Sequence, residues 1–265
     1  MSHSYRSLDY GKPFGGMTPD PGKTPVLCLP GLMCSPAVYF HAAVMVPPSL
    51  QLLPVAWMQK AGHCDISSVT DWLLAEMDRV GIETTFVAGH SASGLVALEA
   101  ALRAPARVRG LLLLGTGANM HGHLDGEALL ETLRDARCWN DGFFREFVAS
   151  CFAGKPPEPL ATHLYAYARS RSRIACVELL ESLYAIDLEP ELPRVQAPTI
   201  VVHGTRDGSR PVAHAELLAT RIKGATLHMV DCGHTPMVEA PKVFELALAE
   251  LLDMTEKTGS EAAAG

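Results

Sequence analysis

Short, continuously apolar runs alternate with stretches of helical hydrophobic spacing along most of this chain. The six apolar runs are residues 25–30, 50–55, 86–88, 108–114, 199–203 and 225–230. Strands that are apolar throughout are typical of a parallel sheet with both faces covered. The stretches with helical spacing are residues 69–80, 94–103, 211–222 and 242–252. The alternation predicts an α/β fold in which right-handed crossovers place helices on both faces of a mostly parallel sheet.

The alternation stops between residues 119 and 193, where helical patterns replace strand patterns. The helical segments there are residues 126–137, 141–152, 159–169 and 174–185, and glycine and proline residues punctuate both joins. We therefore predict a core formed by residues 1–118 and 194–254 and a helical cap, residues 119–193, over the carboxyl edge of the sheet. The small, polar segment 255–265 predicts a disordered tail. Residues Tyr5 to Tyr10 add a weak signal for edge strands.

Composition narrows the class of protein further. The chain has 265 residues, of which 48% are hydrophobic, and it carries a formal net charge of -7. This length suffices for one large domain with a sizeable core. The densest basic cluster, Arg169, Arg171 and Arg173, fits a solvated helix face. We therefore expect a small-molecule substrate and neither a nucleic acid nor a membrane as partner.

The cysteine pattern and the first residues indicate a location. Seven cysteines, none in a C-x-x-C pair, argue against a disulfide framework or a zinc site and favour a reducing compartment. Residues 1–12 lack the apolar segment of a secretory signal, and no apolar run is long enough to span a membrane. We expect a cytoplasmic protein.

A serine lies in a tight turn between the third apolar run and the helix after it. Ser91 comes two residues after Gly89 and two residues before Ser93. A serine held in a sharp strand-turn-helix connection needs small neighbours at these two positions, and both residues are small. The amino terminus of the following helix can stabilise an oxyanion. The segment indicates a nucleophile elbow, with an ordinary Ser/Gly turn as the alternative.

An acid and a histidine follow later strands in the order that a serine hydrolase requires. A serine hydroxyl is a weak nucleophile until a histidine accepts its proton, and a carboxylate orients that histidine. Asp207 follows the fifth apolar run and precedes Pro211, where the alternative is a turn or capping residue. His234 lies in the loop after the sixth run. We predict a catalytic triad of Ser91, Asp207 and His234.

The sequence gives weaker reasons to assign a function to the other histidines. We expect His90 to pack in the elbow and His203 to be buried in its strand. His41 and His63 are candidates for substrate contact near the pocket mouth, and no positional argument applies to His121, His123, His163 and His214. No histidine spacing typical of a metal site is present. We predict no metal and no other cofactor.

An oxyanion hole requires two backbone N–H donors. Ala92 follows the nucleophile directly and supplies the first. The loop after the first apolar run supplies the second, which we assign to Leu32, because Gly31 lets the backbone approach the substrate carbonyl. The predicted substrate contacts are Gly31, Met33, Phe143, Phe144, Phe147 and Met237. The alternative for the aromatic residues is that they pack the cap against the sheet.

Four motifs in order, each after an apolar run, resemble those of the α/β-hydrolase fold family over nearly the whole chain. They are Pro30-Gly31-Leu32, Gly89-His90-Ser91-Ala92-Ser93-Gly94, Gly204-x-x-Asp207 before Pro211, and Gly233-His234 before Glu239-x-Pro241. The resemblance implies an eight-stranded sheet, a helical cap and a Ser91–His234–Asp207 triad. The chain departs from the family where Pro30 replaces a common histidine, where Ser93 replaces a common glycine, and at residues 57–65, which lack the usual Asp-x-x-Gly-x-Gly-x-Ser pattern.

These motifs predict a serine hydrolase that cleaves a carboxylic ester or lactone of a small, fairly apolar substrate through an acyl-enzyme intermediate. One alternative is hydrolysis of a carbon–carbon bond in a diketone-type substrate, whose carboxylate the arginine cluster would bind. Another is a ligand receptor or signalling protein with slow turnover. A cofactor-free oxygenase, which needs no complete serine triad, is the most remote. The sequence leaves the oligomeric state open.

Overall fold

The computed structural model describes residues 8–9, 11–40, 46–60, 62–122 and 126–264. Six strands form one sheet, and they are β1 (Thr24–Leu29), β2 (Leu50–Pro54), β3 (Thr85–His90), β4 (Val108–Leu114), β5 (Thr199–Gly204) and β6 (Thr226–Val230). The strand order is β2-β1-β3-β4-β5-β6, and every neighbouring pair is parallel. The predicted α/β class and the six predicted strands are confirmed.

Helices pack against the sheet. The helices outside the β4–β5 connection are α1 (Ile66–Arg79), α2 (Ala92–Arg103), α7 (Val212–Arg221), α8 (Pro236–Glu239) and α9 (Pro241–Ala264). α2 packs on β3 and β4, α9 on β4 and β5, and α7 on β5 and β6. β3 and β5 are buried along their whole length, as the continuous apolar runs require.

The expected eight-stranded sheet is corrected to six strands for the part of the chain that the structure describes. Before β1, the chain forms a short 3-10 helix, Pro13–Gly16, and residues 8–9 and 11–23 contain no strand. The helix residues Phe14 and Gly15 have positive φ values of 53° and 62°, which no strand accommodates. Tyr5 and Tyr10, where the sequence suggests edge strands, lie outside the described residues.

The connection from β4 to β5 is helical. It contains α3 (Gly126–Arg134), α4 (Asp141–Ser150), α5 (Leu160–Arg169) and α6 (Arg173–Ala185). Polar caps fix two of these helices: Asn140 accepts hydrogen bonds from the first N–H groups of α4, and Ser172 does so for α6. The function of residues 119–193 as a cap stays a prediction.

Helix α9 reaches Ala264 and includes most of the segment 255–265, for which the sequence predicts a disordered tail. The segment contains three alanines, two glutamates and one lysine, which have high helix propensity. No helix in the described ranges is both long and apolar enough to cross a membrane.

Candidate active site

Ser91 lies at the carboxyl end of β3, directly before α2. Its φ of 54° and ψ of -124° place it in a region that residues with a Cβ atom rarely adopt. The strand and helix on either side hold it there, since the Ser91 N–H donates to the Leu114 carbonyl over 2.9 Å. A Cβ atom on Gly89 would lie 2.6 Å from the Ser93 carbonyl oxygen, so this turn requires glycine. The local geometry is that of a nucleophile elbow.

Asp207 and His234 come from the loops after β5 and β6 and meet at the carboxyl edge of the sheet. The His234 Nδ1 lies 2.8 Å from the Asp207 Oδ2. A carboxylate only accepts, so Nδ1 carries the proton and Nε2 is left to accept one. The Asp207 Oδ1 accepts the N–H groups of Ser209 and Arg210. Burial opposes the charge of Asp207, but His234, His203 and the Arg210 N–H outweigh it and lower the pKa of Asp207.

Ser91 and His234 line one cavity of about 430 Å³. The other predicted site residues in its lining are Gly31, Leu32, Ala92, Phe143 and Phe147. Asp207 stands outside the lining, next to His234. The structure therefore brings together, around one cavity, four regions, each more than 50 residues from the next in the sequence.

Three predicted substrate contacts are absent from the lining of this cavity: Met33, Phe144 and Met237. All three are buried in the hydrophobic core. Phe144 differs from Phe143 and Phe147 because positions four apart share one face of a helix, whereas adjacent positions do not. Its ring packs edge-on against Trp139, with 4.8 Å between ring centroids.

In the loop from Gly31 to Cys34, three N–H groups have acceptors and one has none among the described residues. Gly31 donates to the His90 Nδ1 (3.3 Å), Met33 to the Met58 Sδ (3.0 Å) and Cys34 to the Gly31 carbonyl (3.2 Å). For the Leu32 N–H, the described residues offer no acceptor. A Cβ atom on Gly31 would lie 2.8 Å from the Ser91 Cβ, so glycine lets the loop reach the serine. The Ala92 N–H belongs to the first turn of α2, whose N–H groups have no partner within the helix.

His90 is buried and connects two loops of the site. Its Nδ1 accepts the Gly31 N–H, and its Nε2 lies 2.8 Å from the His234 carbonyl oxygen, to which it donates. The centroids of the His90 and His234 rings are 4.8 Å apart. Burial lowers the pKa of His90 to about 3, and the nearby His234 adds to the effect, so the ring is neutral.

Comparison with known proteins decides the family. The sequence profile of the Alpha/beta hydrolase family matches residues 26–246. The chain belongs to this family.

Individual relatives of this α/β hydrolase are distant. Mouse serine hydrolase BPHL is 29% identical over 55% of the chain, and the match spans only 46% of that protein. The pimeloyl-[acyl-carrier protein] methyl ester esterase of Aromatoleum aromaticum is 30% identical over 65% of the chain and 74% of its own length. Among solved structures, the enol-lactonase of Burkholderia xenovorans LB400 matches with a TM-score of 0.74 at 18% identity, covering 87% of this chain and 92% of that chain.

Glu239 of the α/β hydrolase has contacts that its motif in the sequence does not indicate. Its Oε2 accepts the N–H of Gly233 over 3.0 Å, and its Oε1 accepts the N–H of Ala153, beyond the end of α4, over 2.9 Å. The hydroxyl of Thr235 lies 3.1 Å from the same Oε2. Glu239 therefore joins the His234 loop to the helical connection. The Glu239-x-Pro241 motif is the sequence signal that marks it.

The arginine cluster does not line the cavity. Arg169 pairs with Asp141 at the surface, Arg171 lies over the Tyr167 ring, and Arg173 donates to the carbonyls that end α3. Of the weaker histidine candidates, His63 is exposed beside Glu178 and also lies outside the lining, while His41 lies outside the described residues. His203 is buried, as expected, with its Nε2 3.1 Å from the Arg210 carbonyl oxygen.

Two clusters away from the cavity have the residue types of a cation site. They are His63, Asp65 and Glu178, and His121, Asp187 and Glu189. The candidate ligand atoms of each cluster lie within 4.8 Å of one another, but the side chains are partly or fully exposed. Surface carboxylates commonly group in this way without an ion, so these clusters do not change the chemistry inferred for the cavity.

Proposed function

We propose that this α/β hydrolase cleaves a carboxylic ester or lactone of a small, fairly apolar substrate through an acyl-enzyme intermediate on Ser91. The observation that carries the proposal is the 2.8 Å pair of His234 Nδ1 and Asp207 Oδ2, with His234 and Ser91 lining one cavity. A relative at 30% identity is named a methyl ester esterase, which supports the ester class.

The proposed reaction begins with Ser91. His234 Nε2 removes the proton from the Ser91 hydroxyl as the Oγ atom bonds to the substrate carbonyl carbon. The N–H groups of Leu32 and Ala92 stabilise the oxyanion that forms. The intermediate then breaks its bond to the alcohol oxygen, which leaves with the proton from His234. Water repeats the sequence, and its attack releases the acid and restores Ser91.

The helical connection supplies much of the cavity wall, which supports its proposed function as a cap. Lining residues from α3, α4 and α6 include Leu129, Phe143, Phe147, Leu180 and Leu183. These side chains are apolar and favour a hydrophobic acyl or alcohol group. The proposed cap therefore sets which substrates reach Ser91.

A covalent serine probe tests the proposal. We expect a fluorophosphonate to label Ser91, as shown by peptide mapping, and the Ser91→Ala variant to lose at least about 1000-fold in kcat on short p-nitrophenyl esters. Ser150→Ala is the matched control, because Ser150 lines the same cavity and should not matter for chemistry. An unchanged rate in Ser91→Ala would rule out the mechanism. Labelling of Ser91 with turnover far below roughly 1 per second on every ester and lactone tried would favour a receptor.

A further inference from the structure

Arg210 is a buried cation in the wall of the cavity that contains Ser91 and His234. Only 4% of its surface is exposed, whereas every other described lysine and arginine is at least partly exposed. Burying a charge is costly unless it is paired. The position of Arg210 therefore requires an explanation.

The hydrogen-bond partners of Arg210 are neutral. One guanidinium nitrogen donates to the Asn119 carbonyl oxygen over 3.0 Å and lies 3.4 Å from the His214 Nδ1. The His214 Nδ1 faces the guanidinium, which only donates, so this nitrogen accepts, and the His214 Nε2 donates to the His121 carbonyl oxygen. In the described part of the chain, no carboxylate oxygen lies within 4.0 Å of this guanidinium.

The nearest site carboxylate already has other partners. Asp207 accepts from His234 and from the backbone N–H groups of Ser209 and Arg210 itself. Burial lowers the pKa of Arg210 to about 10, against the opposing effects of Asp207 and Tyr184. The group is therefore a cation at neutral pH. A guanidinium has five N–H donors in a planar fork that matches a carboxylate, and the contacts described above use only one of its nitrogens.

Outside the catalytic group, two charged side chains line this cavity, and that of Arg210 is one of them. Glu146 is the other charged side chain among the lining residues outside the catalytic group, and it is exposed. Most of the other lining residues are apolar. The cavity therefore combines an apolar surface with one buried positive group.

We infer that Arg210 binds a carboxylate of the substrate, so that the ester or lactone cleaved at Ser91 carries a negative charge elsewhere in the molecule. This inference rests on the proposed function. The bound carboxylate supplies the ion pair that the protein does not, and a charge-assisted, bidentate contact orients the substrate along the cavity. A purely structural function for Arg210, tying residue 119 to α7, predicts no preference for charged substrates.

Binding to the Ser91→Ala variant, which cannot consume the ligand, tests the inference. Titration calorimetry compares monomethyl esters of C4 to C8 dicarboxylic acids with the corresponding ω-amides, which have the same shape and no charge. A second series, acetyl esters of C4 to C6 ω-hydroxy acids and their amides, places the carboxylate on the alcohol part. We expect at least one acid to bind about 10-fold or more tightly than its amide.

Variants then assign the preference to Arg210. In Ser91→Ala/Arg210→Met, the acid-to-amide ratio should fall to about one. Arg206→Met in the same background is the matched control, because Arg206 is exposed in the same loop and pairs with Asp231. Should the methionine variant not fold, Arg210→Lys decides, since a point charge replaces the fork and the preference should fall several-fold. An unchanged ratio in the folded variant would contradict the inference.

The two proposals fail in different ways. If no acid in either series binds more tightly than its amide, Arg210 is structural, and hydrolysis of neutral esters by the wild-type protein is unaffected by that result. If acids bind preferentially but the wild-type protein hydrolyses no ester or lactone, the proposed reaction fails and the carboxylate site stands.

Discussion

His90 donates a hydrogen bond from its Nε2 to the backbone carbonyl oxygen of His234, 2.8 Å away. The same ring accepts the Gly31 N–H at Nδ1, so one neutral imidazole links the proposed oxyanion loop to the loop of the proposed base. Only the tautomer with a proton on Nε2 makes both bonds. The residue before Ser91 therefore has a positioning function that packing alone would not require.

Replacement of His90 should lower the rate more than it weakens substrate binding. His90→Ala leaves the Gly31 N–H and the His234 carbonyl without their partner, and both loops shift. We expect kcat on a p-nitrophenyl ester to fall about 10-fold to 100-fold with little change in KM. His90→Gln, whose amide has one donor end and one acceptor end, should recover part of the loss. Equal effects on kcat and KM, or no recovery by glutamine, would indicate that His90 acts only through stability.

The stability of the fold should fall as the pH is lowered below neutrality. The pKa of His90 is about 3 in the fold, mainly because of burial, against an ordinary value of 6.5. Between these values the unfolded chain binds the additional proton. The free energy of unfolding should therefore be unaffected by His90 above pH 6.5 and decrease by up to about 1.4 kcal/mol per pH unit below it.

Urea denaturation between pH 4 and pH 8 measures this slope. Burial also lowers the pKa of His203, which acts in the same direction. The pKa of Asp207 is lowered as well. Asp207 changes the free energy of unfolding only below its ordinary pKa of 3.8, which lies outside this pH range. His90→Gln should flatten the slope. A slope that His90→Gln does not alter would show that other groups cause the acid sensitivity.

The strained backbone at Ser91 predicts an unusual effect of glycine. A residue with a Cβ atom that is held at a φ of 54° and a ψ of -124° is strained by about 1–3 kcal/mol, which glycine avoids. The greater freedom of glycine in the unfolded chain offsets about 0.4–1 kcal/mol of this gain. We therefore expect Ser91→Gly to exceed Ser91→Ala in free energy of unfolding by about 1 kcal/mol.

Replacement of alanine by glycine within a regular helix should have the opposite effect and lower the free energy of unfolding. Ala75→Gly, at an exposed position within α1, should lose about 1 kcal/mol, because glycine is unfavourable there. Both comparisons use urea denaturation at one pH. If Ser91→Gly proves less stable than Ser91→Ala, the turn at residue 91 stores no strain.

Local sequence explains why the elbow and the strands could be predicted, and tertiary contacts explain why other features could not. Gly89, Ser91 and Ser93 lie within five residues, so a local pattern indicates the turn, and the acid and histidine motifs that follow favour the elbow over an ordinary Ser/Gly turn. The His90 bridge depends on Gly31 and His234, which are 59 and 144 residues away. No local pattern encodes such contacts.

The same distinction applies to the cavity wall. Phe143 and Phe147 were predicted together with Phe144, yet the orientation of α4 brings only the first two to the cavity. Arg210 follows Asp207 by three residues, and the sequence offers no sign that its charge would be buried. The eight strands are implied only by the resemblance to a family, and the described residues before β1 instead include a 3-10 helix with a positive φ at Phe14.

Glu239 should support both stability and catalysis through the His234 loop. Glu239→Ala removes the acceptor of the Gly233 and Ala153 N–H groups, which are bonded over 3.0 and 2.9 Å. We expect the free energy of unfolding to fall by about 1–3 kcal/mol, as is typical when buried donors lose a charged partner. We also expect kcat to fall several-fold, because the loop no longer holds His234 in place. Glu239→Gln keeps one acceptor oxygen, so its effects should lie between those of the wild-type protein and of Glu239→Ala.

The matched control is Glu250→Ala on α9, where the partner is the half-exposed His228 and the loss should stay below about 1 kcal/mol. Urea denaturation and ester hydrolysis measure both effects, and equal losses in the two alanine variants would mean that the contacts of Glu239 contribute no more than a surface ion pair.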